Sequence, residues 1–164
     1  MTRTGLLDDF DHRLLALLQR DADLTLDALG EAVGLSPSAV QRRLTRYRRS
    51  GLLRTVAVLD PKALPGTTLT AVWVTMERES LKAHAAFAAR MRAAPEVQQC
   101  YVLAGEWDYL VILATRGIDH FRSVAQRLFV DEGTIRRYDS RIVFDVVKHG
   151  LALPTGESAP RRKR

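Results

Sequence analysis

Between positions 41 and 54 the chain places Arg42, Arg43, Arg46, Arg48, Arg49 and Arg54, with no acid among them. Guanidinium groups at that density suit the recognition of a polyanion. Val40, Leu44 and Tyr47 follow one another at i, i+4 and i+7, the spacing of a buried helical stripe. With that stripe turned inward, Ser38, Gln41, Arg42 and Thr45 face outward near the helix start and would meet base edges. Arginine can pair bidentately with guanine and glutamine with adenine, each pairing giving about 1–3 kcal/mol of discrimination. Ser36, Arg46 and Arg49 are better placed for phosphates, contacts that set register without reading sequence. Arg43 can instead pair with an acid such as Asp11.

A second group of residues suits a small zwitterion. The run Gly105-Glu106-Trp107-Asp108 predicts a tight turn between two strands. Backbone N–H groups exposed beside Gly105 can hold a carboxylate, Asp108 can take an ammonium group, and Trp107 can pack an apolar side chain. An ordinary hairpin in which Asp108 caps its own turn is the plainer alternative.

Composition narrows the setting. The chain has 164 residues, 46% of them hydrophobic, and a formal net charge of +6. That is enough apolar residue to build a core, and the positive balance favours nucleic acid or an acidic surface as partner. A single cysteine, Cys100, excludes an internal disulfide and a cysteine-based zinc site. The first eleven residues carry acids and no apolar run, so a secretory signal is not expected, and no stretch approaches the roughly 18 apolar residues of a membrane span. The expected location is the cytoplasm, with no membrane partner.

Three helices and a strand should position the arginines. Phe10, Leu14, Leu17 and Leu18 mark the first helix, with Asp8, Asp9 and Asp11 near its start. Thr25 can cap a second helix whose stripe is Leu26, Leu29 and Val33, and Gly34 should stop it. Ser36-Pro37 opens the third, and Gly51 ends it. Residues 52–59 read as a strand. These spacings have helix-turn-helix dimensions. A capping hydroxyl, a turn glycine and a basic outer face on one element favour DNA over a solvated helix of a small bundle.

After turn signals at Asp60-Pro61 and Leu64-Pro65-Gly66, the pattern becomes strand, helix, strand, strand, helix, strand, the order of a ferredoxin-like α+β sandwich. The expected division is a DNA-binding domain over 1–59, a linker over 60–67, an effector-binding and oligomerisation domain over 68–150, and a basic, disordered tail over 151–164 that ends in Arg161-Arg162-Lys163-Arg164. Leu69, Ala71 and Trp73 alternate with Val72, Val74 and Met76, and Val97, Tyr101 and Leu103 with Cys100, Val102 and Ala104. Both faces of the sheet are therefore apolar, and two helices can cover only one. A second copy of the chain is the economical cover. A two-fold dimer would present two reading helices to one duplex.

Taken together these residues resemble the Lrp/AsnC family of regulators. Leu7-Asp8-Asp9-Phe10-Asp11 followed by Leu14-Leu15 matches the family's opening, Val33-Gly34-Leu35-Ser36-Pro37 followed by Arg43-Leu44 its helix-turn-helix, and Gly105-Glu106-Trp107-Asp108-Tyr109-Leu110 its hairpin motif. The resemblance spans about residues 7–148. It implies a winged helix-turn-helix followed by a βαββαβ domain, a homodimer assembling to a tetramer or octamer, and a double-stranded DNA partner. It also implies an amino acid or related metabolite as effector; no cofactor, metal or catalytic residue is expected, since no phosphate-loop, H-E-x-x-H or G-x-S-x-G motif is present. By the same resemblance Gly105, Glu106, Trp107 and Asp108 would line the effector cleft, with Ser140 near it. Two positions depart from the family pattern: Asp23, where an arginine is common, and Tyr138, where a hydroxyl is common and an aromatic ring would narrow the cleft.

Two other readings share the architecture. One is an architectural protein that binds DNA with little sequence preference. The other is an enzyme of the siroheme decarboxylase type, which needs histidines and basic groups around a tetrapyrrole. His12, His84, His120 and His149 are poorly placed for that, and the arginine-bearing helix argues against it.

Overall fold

The computed structural model describes residues 7–60, 63–77, 80–131 and 133–155. Its contacts divide the chain into two units, one of the described residues through Ala57 together with those from Lys148 onward, the other of Val58–Val147.

In the first unit, α1 (Asp9–Leu18), α2 (Leu26–Val33) and α3 (Pro37–Arg49) enclose a core of Leu14, Leu15, Leu18, Leu29, Val33, Val40, Leu44 and Tyr47. Each start has a side-chain cap: Asp8 for α1, Thr25 for α2 and Ser36 for α3. Gly34 closes α2 in the left-handed region at φ 78°, where a residue without a Cβ is at ease. The Gly34 and Leu35 N–H groups both donate to the Gly30 carbonyl, at 2.8 and 2.9 Å, which folds the turn tightly back onto α2.

Three expectations change here. Phe10 is 38% exposed and lies under the Arg43 guanidinium, and the neighbouring Asp11, 1% exposed, takes the inward place. Residues 52–59 carry no strand pairing; they are exposed apart from Leu53, whose N–H donates to the Tyr47 carbonyl at 3.2 Å. A strand exists only through a neighbour's hydrogen bonds, and no described residue supplies them. The start of the expected tail is anchored: Leu153 N–H donates to Gln19 Oε1 at 2.6 Å, and Gln19 Nε2 to the Leu153 carbonyl at 3.0 Å. Arg161 to Arg164 lie outside the described residues.

The second unit is a four-stranded antiparallel sheet of β1 (Thr67–Met76), β2 (Val97–Val102), β3 (Tyr109–Arg116) and β4 (Ile135–Ile142), in the order β2-β3-β1-β4. α4 (Leu81–Ala93) and α5 (Gly117–Ala125) cover one face of it. Val72, Val74, Met76, Val111 and Leu113 point into that core against Phe87, Met91, Phe121, Val124, Leu128 and Phe129. After α5 the backbone widens into a π-helical turn, Gln126–Val130, closed by Asp131 N–H on the Gln126 carbonyl at 3.1 Å. The wider turn lets two consecutive side chains, Leu128 and Phe129, both reach the core.

The other face carries Leu69, Ala71, Trp73, Leu110, Ile112 and Ala114, all only partly covered within the chain. The expected alternation of β2 is interrupted. Its register shifts between Val97 and Gln99, so Val97 packs toward the helices while Tyr101, opposite Leu110, lies on the open face. One extra residue at a bulge reverses the faces before and after it.

Candidate nucleic-acid interface and hairpin site

α3 buries Val40, Leu44 and Tyr47 and exposes Ser38, Gln41, Arg42, Arg46 and Arg49, with Thr45 half-buried between them. Gln41, Arg42, Thr45, Arg46, Arg49 and Ser50 line one shallow depression on its outer side. Gln41 Nε2 lies 3.4 Å from Thr45 Oγ1, which aligns the glutamine along the helix. Ser36 is the N-cap, its hydroxyl accepting from the Ala39 N–H at 3.3 Å and lying 3.1 Å from Ser38 Oγ. Among the described residues Arg42, Arg48 and Arg49 form no ion pair. The face expected to read DNA is thus brought together on one helix, with Arg42 at its centre.

Behind that face is a carboxylate hub. Asp8 and Asp11 form a capping box: the Asp11 N–H donates to Asp8 Oδ1 at 2.8 Å, and the Asp8 N–H to Asp11 Oδ2 at 3.1 Å. The Asp11 carboxylate also accepts from Arg43, from Tyr47 Oη, and from Arg46 Nη2 at 2.6 Å on both oxygens. Arg43 further pairs with Asp8 at 2.9 Å. One acid on α1 therefore gathers three side chains of α3. The Arg43–Asp11 pairing was legible in the sequence; the Arg46 and Tyr47 contacts were not, although the spacing of Asp8 and Asp11 is that of a capping box.

Burial pushes the Asp11 carboxyl up, but hydrogen bonds from Tyr47, the Asp8 backbone and Arg43, with the Arg43 charge, hold it below the ordinary aspartate value. For Arg43 burial acts downward, and the Asp11 and Asp8 contacts outweigh it and raise its pKa. Burial, then the Asp11 contact, raises the Tyr47 phenol well above its ordinary value, so it stays protonated and donating.

In the second unit the turn from Gly105 to Asp108 links β2 to β3 as expected, with Gly105 at φ 147°. Asp108 is committed to the fold: its Oδ2 accepts the Met76 N–H at 2.7 Å, and its own N–H donates to the Val74 carbonyl at 3.0 Å. It therefore staples the hairpin to the end of β1. Glu106 pairs with Arg137 at 2.5 Å, and the Arg137 guanidinium lies 4.2 Å from the centre of the Trp107 ring. Sequence reasoning missed Arg137, which is far from the hairpin in the chain.

Ser140 stands opposite Val72 on β4, hence on the helix-covered face, while Arg137 stands opposite Thr75 on the open face. Within one chain Ser140 and the Arg137–Glu106–Trp107 cluster project to opposite sides. Tyr138 shares the Ser140 side, its ring 5.3 Å from that of Phe129. The second-unit histidines take part in packing contacts: His84 Nδ1 lies 2.7 Å from Tyr109 Oη, and His120 Nδ1 accepts the Arg116 N–H at 3.0 Å.

Comparison with known proteins gives the family and the overall fold. Residues 7–48 match the family model of the AsnC-type helix-turn-helix domain, and residues 70–153 that of the Lrp/AsnC ligand binding domain. The chain is 33% identical over 151 residues to the DNA-binding transcriptional activator DecR of Escherichia coli K12, covering 91% of this chain and 99% of that one. It is 30% identical over 161 residues to the glutamate uptake regulatory protein of Zymomonas mobilis, covering 96% of each. Among solved structures, a transcriptional regulator from Neisseria meningitidis in complex with L-methionine superposes with a TM-score of 0.80 at 31% identity, covering 91% of this chain and 97% of that one.

Proposed function

Because this chain belongs to the Lrp/AsnC family of DNA-binding transcriptional regulators, we propose that it reads a duplex site with the outer face of α3 and tunes that reading to an amino acid or related small metabolite. The observation that carries the first half is the Arg42 guanidinium, without an ion pair among the described residues, between Gln41 and Thr45 and over an apolar stripe that fixes the helix. A bidentate donor held at the groove-facing side of a helix is the chemistry of guanine readout.

The second half rests on the L-methionine bound to the Neisseria relative and on the hairpin of this chain, where Glu106, Trp107 and Arg137 set an acid, a ring and a cation side by side. Asp108 serves that site by holding the hairpin to β1, and Ser140, on the other side of the sheet, would join a cleft only from a neighbouring copy. The open apolar face of Trp73, Leu110 and Ile112 supports a homodimer, which we take to assemble further to a tetramer or octamer. No helix among the described residues is long and apolar enough to cross a membrane. We place the protein in the cytoplasm, acting by binding and not by catalysis.

Two measurements test this. Arg42→Ala and Gln41→Ala should each narrow the affinity ratio between a duplex selected by the wild type and an unrelated duplex, by about 1–3 kcal/mol. An unchanged ratio in both variants would assign the reading to another element. A thermal-shift series with the twenty amino acids should raise the melting temperature for one or a few of them, since a ligand at a hundred times its Kd adds about 2.7 kcal/mol. No shift with any amino acid would remove that effector class.

A further inference from the structure

We infer that Arg46 is a phosphate contact held in reserve: its guanidinium rests on the Asp11 carboxylate in the free protein and transfers to a DNA phosphate when α3 enters the groove. The inference rests on the reading of α3 as the DNA-contacting element.

The Asp11–Arg46 contact is asymmetric. Asp11 is 1% exposed, whereas the Arg46 side chain is 57% exposed. Arg46 also lines the outer depression of α3 with Gln41, Arg42, Thr45 and Arg49. The acid is inaccessible to solvent and the arginine is not. Arg46 Nη2 sits 2.6 Å from both carboxylate oxygens, a pair of anionic acceptors of the kind a phosphate also presents.

Departure of Arg46 leaves no orphaned charge inside. Asp11 keeps Arg43, Tyr47 Oη and the Asp8 N–H, which together occupy both of its oxygens. Arg43 is held differently. It is 22% exposed, pairs with both Asp8 and Asp11, and lies over the Phe10 ring. Of the two arginines on the hub, Arg43 is the fixed one and Arg46 the exchangeable one. The Arg46 guanidinium carbon lies 5.4 Å from the centre of the buried Tyr47 ring, while more than half of the Arg46 side chain is open to solvent.

The competition has a signature that a merely structural role lacks. Asp11 and DNA compete for one guanidinium, so weakening Asp11 should help DNA, and only through Arg46. Full-length wild type, R46Q, R46K, D11N and the D11N/R46Q double variant would be titrated with the duplex selected by the wild type and with an unrelated duplex, across a range of KCl. R46Q should lower the slope of log K against log salt by about 0.9 on both duplexes. R46K, which keeps the charge, should keep the slope. D11N should tighten binding several-fold in the wild-type background and leave R46Q unchanged.

A wild-type slope in R46Q overturns the inference, as does a D11N effect of equal size in both backgrounds. If D11N does not fold, the lysine variant decides: loss of as much slope in R46K as in R46Q overturns it. Failure of the underlying reading looks different, since Arg42→Ala would then leave discrimination untouched as well.

Discussion

Replacing Gly30 with alanine is expected to destabilise the helix-turn-helix and weaken DNA binding while the sheet domain keeps its stability. A Cβ at Gly30 would stand 2.4 Å from the Leu35 carbonyl oxygen and 3.5 Å from its carbon. These are backbone atoms, and they cannot swing aside as a side chain would. One side of the turn is fixed by the Gly34 and Leu35 N–H groups on the Gly30 carbonyl, the other by the Ser36 cap and Pro37 at the start of α3. Alanine gains about 1 kcal/mol of helix propensity over glycine. Overpacking at a backbone contact this short outweighs that gain, for a net loss of about 2–3 kcal/mol. Amide exchange reads the result region by region: protection should fall across α1, α2 and α3 and hold in β1 and β3. Gly150→Ala, with nothing within 4 Å of the new Cβ, is the control. Wild-type protection in α2 and α3 would mean that the turn tolerates the methyl group.

Gly30 also shows where sequence reasoning ran out. Caps and stops were legible because their signals are local: Thr25, Gly34 and Ser36-Pro37 each act within four residues of themselves. The succession of strands and helices in the second unit was legible from its apolar runs and the turn signals between them, and the sheet they form is four-stranded. Gly30 lies in the middle of a good helical pattern, and its necessity comes from a carbonyl five residues on, across a turn whose tightness no composition reports. The same distinction separates Phe10 from Asp11. Helical spacing put Phe10 inward, but a carboxylate with five hydrogen bonds from four partners can be buried, and the arginines that make this possible stand more than thirty residues away.

The candidate sites divide along that line too. Gln41, Arg42, Thr45 and Arg49 were legible as an outward face because the buried stripe of one helix determines its other side. The hairpin residues were legible as a turn, yet the commitment of Asp108 to the Met76 N–H and the approach of Arg137 to Glu106 and Trp107 depend on strand register. Register also parts Ser140 from the open-face cluster, and the bulge at Val97 and Gln99 reverses part of β2. One slipped residue moves every later side chain to the opposite face, and hydrophobic alternation by itself does not reveal the slip.

Removing the Asp11 carboxylate altogether should cost the DNA-binding unit about 3 kcal/mol at neutral pH, and the deficit should shrink in acid. Asp11→Ala leaves the buried Tyr47 hydroxyl without its acceptor and the Arg43 guanidinium with Asp8 as its only described acid. Breaking a buried pair from one side is costly because the other partner stays behind uncompensated. The folded state holds Asp11 below its ordinary value of 3.8, so it binds this proton less readily than the unfolded chain does. The resulting stability is fully present above 3.8 and is lost as the pH falls through the folded value. Urea titrations of the wild type and Asp11→Ala should therefore differ most near neutrality and converge well below 3.8. The raised Tyr47 phenol gives the opposite dependence, with stability present below 10.0 and lost as alkali drives it to ionise. In Asp11→Ala that tyrosine should ionise closer to its ordinary value, because two of the effects that raise it are gone. A gap between wild type and variant that stays constant into acid would mean that the packing of the side chain, and not its charge, joins α1 to α3. The Asp11 carboxylate would then hold Arg46 too weakly for its release to matter to DNA binding.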